Sequence, residues 1–94
     1  MNYVSHEYGI VIEGCSYEDL KKVLPFDKEN GCIKFGKKFV ETHPWNPEYI
    51  FVSYGDANLV SATPFPKHKG QARAFQKRIG KIGKARWGII VTER

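Results

Sequence analysis

The chain has no acid where it has the most base. Residues 64–87, PFPKHKGQARAFQKRIGKIGKARW, contain no aspartate or glutamate and eight lysines and arginines. Long apolar runs are also missing: no stretch approaches the ~18–20 residues that span a bilayer, so no membrane association is expected. Cysteine is scarce. Cys15 and Cys32 are the only two, where a secreted domain of this size usually carries more. They form no C-x-x-C pair and read as free thiols. A disulfide, or a zinc site completed by two of His6, His43 and His68, has no supporting spacing. No metal and no cofactor is therefore expected. The opening MNYVSHEYGIVIEG lacks a basic start and a long apolar run, which predicts no secretory leader. These absences predict a soluble, cytoplasmic protein. Recognisable chemical signatures are absent too. There is no G-x-S-x-G, H-E-x-x-H, P-loop, RNP, KH or zinc-finger pattern, and no carboxylate cluster suited to two metals.

What is present suffices for a core. The 94 residues are 41% hydrophobic and 14% aromatic, which excludes the composition of a disordered chain and predicts a single domain over 1–94. Charge is divided unevenly. Residues 1–56 hold nine acids against six lysines, whereas residues 57–94 hold nine lysines and arginines against one acid, Glu93. A split of this kind points to partners. Those it suggests are nucleic acid, an acidic protein surface, or a second copy whose acidic N-terminal half covers the basic C-terminal half.

The elements follow from periodicity. Val4, Tyr8, Ile10 and Ile12 recur at spacing two and predict a strand. Ser16 with Asp19 resembles a capping box, and Tyr17, Leu20, Val23 and Leu24 share one face of a short helix that Pro25 ends. DKENG at 27–31 is a turn. CIKF and KFVE read as a hairpin around Gly36 and Lys37. THPWNP breaks the pattern. EYIFVSY is apolar on both alternating faces, as a central strand is. LVSAT is a further strand, residues 70–84 a second helix, and RWGIIVTE the last strand. The order β-α-β-β-β-β-α-β predicts an α+β fold, a single mainly antiparallel sheet with two helices on one face. A ferredoxin-like split βαβ arrangement with an added hairpin is one version.

On the second helix, Ala72, Phe75, Ile79 and Ile82 form an apolar stripe. Arg73, Lys77 and Lys84 lie near the opposite pole, with Lys81 beside them. A solvated helix face is usually charged, but it normally mixes signs. Arg73/Lys77 and Lys77/Lys81 are like-charge pairs four apart, each unfavourable by about 0.2–0.5 kcal/mol. Gly80 and Gly83 interrupt the helix; at Gly80 the missing side chain would let another backbone or a phosphate come close, and the alternative is that the helix ends near Gly80 with GKIGK as a loop. Lys67, His68 and Lys69 precede the helix, where its dipole is already positive; lysines with free N–H groups at that end suit an anion.

The expected function is therefore polyanion binding, nucleic acid first, through helix 70–84 and the preceding KHKG loop. The expected contacts are Lys67, His68, Lys69, Arg73, Lys77, Lys81, Lys84 and Arg86. Trp45, Tyr49 and Phe65 are candidates for base stacking or for anchors on a partner protein; core packing is the plainer reading for each, and for Trp87. A protein-docking inhibitor or regulator of the virus- or plasmid-encoded type is the alternative. A metal-free ribonuclease using His43 or His68 as acid or base is a third reading. Catalysis is the weaker expectation, because isolated loop histidines are usually only solvated.

Overall fold

The computed structural model describes residues 4–57, 68 and 70–93. Strand β1 (Val4–Glu13) leads into helix α1 (Tyr17–Lys21). Four strands follow: β2 (Phe26–Asp27), β3 (Cys32–Phe35), β4 (Lys38–His43) and β5 (Asn46–Asp56). Helix α2 (Gln71–Ile79) and strand β6 (Lys84–Glu93) complete the order. All strands join one antiparallel sheet, β2-β3-β4-β5-β1-β6. The α+β class and the single sheet match the expectation. Setting β2 and β3 aside, β4-β5-β1-β6 with crossovers through α1 and α2 is the split βαβ arrangement. The β2–β3 hairpin is then an addition at the β4 edge.

Alternation along the strands builds the core. Ile10 and Ile12 of β1, Ile33 and Phe35 of β3, Val40 of β4, and Ile50 and Val52 of β5 turn to one face. There they meet Leu20 and Leu24 from the α1 region and Ala72, Phe75 and Ile79 of α2. Both helices therefore cover the same face. Phe75 is fully buried and sits edge-on to Phe35, with ring centroids 4.9 Å apart. The opposite face carries a smaller cluster of Val11, Phe51 and Ile90, flanked by Tyr49. Strand β5 is thus apolar on both faces, as its central position requires. The sheet is strongly coiled. Tyr49, near the Ile12–Ile50 end, accepts a hydrogen bond from the Val91 N–H at 3.0 Å, although Val91 pairs with His6 near the other end.

Helix α1 starts on the expected capping box. The Ser16 Oγ accepts from the Asp19 N–H and the Asp19 carboxylate accepts from the Ser16 N–H, each at 3.1 Å. Those bonds hold the Asp19 carboxyl below its ordinary range, the Ser16 N–H contributing most. The Tyr17 hydroxyl donates to the Val40 carbonyl and accepts from the Ile33 N–H. It fastens α1 to β3 and β4, and burial raises its pKa.

Several boundaries differ from expectation. THPWNP breaks the regular pairing, as expected, but within one hairpin: His43 pairs with Asn46 across a Pro44–Trp45 turn, and the register then shifts, so that Thr42 pairs with Ile50. Pro47 is tolerated because the pairing of β5 with β1 begins only at Ile50, so its missing N–H breaks no bond to that strand. Strand β2 is an element the sequence reading lacked; Asp27 closes its turn through its carbonyl to the Gly31 N–H and its carboxylate to Glu29 and Asn30. Val23 is exposed rather than packed. Helix α2 stops at Ile79 with Gly80 as its cap, so the alternative of an end near Gly80 holds and the extension to residue 84 does not. Ile82 therefore lies in the following turn and not on the helical stripe. The expected LVSAT strand, residues 59–63, falls outside the described residues. No described helix is long and apolar enough to cross a membrane.

Candidate nucleic-acid interface

The buried stripe of α2 fixes what its other sides present. With Ala72, Phe75 and Ile79 inward, Arg73, Lys77 and Arg78 are exposed. Lys81 in the turn and Lys84 at the start of β6 are exposed as well. Among the described residues these five cations have no acidic partner; the ion pairs there are Lys21–Glu18 and Arg86–Glu13. The first turn of α2 contains no acid, and its N-cap, Gly70, makes no side-chain hydrogen bond.

A trough runs between α2 and β6. It comprises two adjoining surface grooves of about 790 and 560 Å³ that share Gln76, Ala85 and Arg86. Lys81 and Lys84 line the larger groove, with Ile82 and Ala85; Arg73 and Trp87 line the smaller. Gln76 holds the trough together. Its Nε2 donates to the Gly80 and Gly83 carbonyls at 3.0 and 2.9 Å, and its Oε1 accepts from the Ala85 N–H at 2.7 Å. One side chain thus binds the end of the helix, the turn and the first residues of β6. The Ala85 N–H points away from β1, so by alternation the N–H groups of Trp87 and Ile89 point the same way. The indole Nε1 of Trp87 is buried and has no hydrogen-bond partner.

Both glycines have structural reasons. Gly80 caps α2 with a φ of 63°, a conformation side chains rarely adopt. A Cβ on Gly83 would lie 2.7 Å from both the Cys15 Sγ and the Glu13 carbonyl oxygen. Gly83 therefore lets the turn close against the β1–α1 loop. Chain reversal at Gly80 and close packing at Gly83 thus account for both glycines without a ligand.

The remaining candidates are dispersed. Arg86 is already paired: Glu13 accepts from its Nε and its terminal nitrogen at 3.2 and 3.1 Å. Lys67, Lys69 and Phe65 lie outside the described residues. His68 packs on Tyr54, with ring centroids 5.2 Å apart, and Trp87 packs on the same tyrosine. Burial raises the pKa of Tyr54. His43 stacks on Tyr49 at the far end of β5. The two histidines are not brought together as an acid–base pair. Trp45 is 68% exposed, whereas Tyr49 is half-buried. Cys15 and Cys32 are free thiols, and burial chiefly raises the pKa of Cys15.

Sequence reasoning missed Arg78, Gln76 and Glu13. Arg78 was available from the acid-free run itself. The roles of the other two depend on the turn after α2 and on the β1–β6 pairing, which no local pattern reports. No protein-family model, curated protein or solved structure matches the chain.

Proposed function

We propose that the protein binds nucleic acid along the exposed side of α2 and the adjoining trough. The observation that carries this reading is the group of five cations, Arg73, Lys77, Arg78, Lys81 and Lys84, with no acidic partner among the described residues. Like charges spaced four apart destabilise a helix, and a polyanion relieves that repulsion while releasing its own counterions. The outward N–H groups of Trp87 and Ile89 add donors that suit phosphate oxygens. The surface supplies charge without an assigned contact to base edges, so the binding is expected to be insensitive to sequence.

Salt dependence tests the proposal. With four to five phosphate contacts, log K against log salt should slope at about −3 on a single strand and about −4 on a duplex. Lys77→Gln should weaken binding to every oligonucleotide alike and reduce the slope by about 0.7–0.9. An absence of binding at low salt would reject the reading. A protein-docking role is favoured by one separate observation, the exposed Trp45.

A further inference from the structure

We propose that the β4–β5 hairpin of one copy docks into the α2–β6 trough of a second copy, and reciprocally, to form a two-fold dimer. The inference uses the shape and charge of the trough but does not depend on nucleic acid being its ligand.

Trp45 stands at the tip of the hairpin and is the most exposed large apolar side chain among the described residues. It is held in place before any partner arrives. The Trp45 backbone N–H donates to the His43 Nδ1 at 3.2 Å, and the indole lies 5.6 Å from the His43 ring. His43 in turn stacks on Tyr49, and Tyr49 packs on the buried Phe51. On the other side of the tip, the Asn46 side chain accepts from the Glu48 N–H. A tryptophan already ordered by a column of rings loses little freedom on binding, and tryptophan dominates the energetics of protein interfaces.

The surroundings of the hairpin select the partner. Glu41 and Glu48 are exposed and have no ion-pair partner among the described residues. The trough offers the complement: it is lined by apolar Ile82 and Ala85 for the indole and by Lys81 and Lys84, while its lining acid, Glu13, is paired with Arg86. Both features lie at one end of the sheet. Ile12 pairs with Ile50 on one side and Ala85 on the other, so the turn before β5 and the loop before β6 flank the β1–α1 loop. They are separated by two strand spacings, about 10 Å. A two-fold axis passing by that loop places each acidic hairpin over the basic trough of the other copy. The interface is then isologous and closes without forming a filament. Nucleic acid would compete for the same trough.

Sedimentation equilibrium of the full chain at low salt tests this. The mass should move from one chain to two as concentration rises, with the tryptophan emission shifting to the blue. Trp45→Ala should weaken dimerisation by about thirtyfold or more, and Lys81→Glu with Lys84→Glu should do the same. Thermal melts would confirm that both variants fold, since all three side chains are exposed. A single-chain mass at every concentration, or a dimer untouched by either change, would overturn the proposal. An oligonucleotide that shifts Trp45 emission in the single-chain form would also overturn it, because the hairpin would then be a base-stacking site. Oligonucleotide binding by Trp45→Ala reports separately on the nucleic-acid reading.

Discussion

The two helices cover the same face of the sheet and yet differ at their N-terminal ends. Helix α1 has a side-chain cap, acids in its first turn, lysine in its last and a Glu18–Lys21 pair at 3.1 Å. Every one of these features favours an isolated turn of helix. Helix α2 shares the basic last turn, with Lys77 and Arg78, but has no side-chain cap and no acid in its first turn, and every charged residue on its exposed side is a cation. Its stability comes instead from Phe75 and Ile79 in the core and from Gln76 at its exit. Lys77 and Arg78 in the last turn suit the dipole of α2, whereas Arg73 in its first turn does not, so the charge of α2 is only partly explained by the needs of the helix. Packing supplies the stability, which leaves the outer surface available for a partner.

The comparison can be broken at several points. The largest effect should come from Phe75→Ala, which opens a cavity beneath α2 and should lower stability by about 3–5 kcal/mol in urea unfolding. A small loss there would mean that α2 does not depend on its buried face. Gly83→Ala should cost about 1–3 kcal/mol, because the added methyl group displaces the Cys15 loop. Ser16→Ala removes the cap of α1 and should cost about 1 kcal/mol. Arg73→Glu gives α2 the first-turn acid that α1 already has. It should raise stability by about 0.3–1 kcal/mol while weakening oligonucleotide binding. A variant that is both less stable and equally tight would remove the distinction between the helices.

Acid should reveal the same contrast with a smaller amplitude. The carboxyl of Asp19 is held below its ordinary value by the Ser16 N–H and hydroxyl, and that of Asp27 chiefly by the Asn30 side chain. Because the folded values are depressed, this stabilisation is present above the ordinary aspartate value and is lost as pH falls through the folded ones. The urea midpoint should therefore decline on acidification below about pH 4. Asp19→Asn should flatten that decline, and α2 has no corresponding carboxylate among its described residues.

Local chemistry made much of this legible in advance. The box at Ser16 and Asp19, the turn at Gly36 and the inward stripe Ala72–Phe75–Ile79 each involve residues within a few positions of one another. What escaped depends on distance. Gly83 owes its small size to Cys15 and Glu13, and Arg86 finds its acid on a strand seventy-three residues earlier. The THPWNP segment does break the regular pattern, but as a turn between His43 and Asn46 and a register shift beside it, inside one hairpin. The candidate site was visible as charge, but the trough that shapes it required the return of the chain from α2 into β6.

The central claim is that the unpaired cations of α2 and the following turn serve an anionic partner. Its most direct test is the anisotropy of a labelled single-stranded oligonucleotide titrated with the protein over a range of salt. The account predicts binding whose log K falls with log salt at a slope of about −3, with the slope reduced in Lys77→Gln. Binding that is absent, or that is flat in salt, would contradict it.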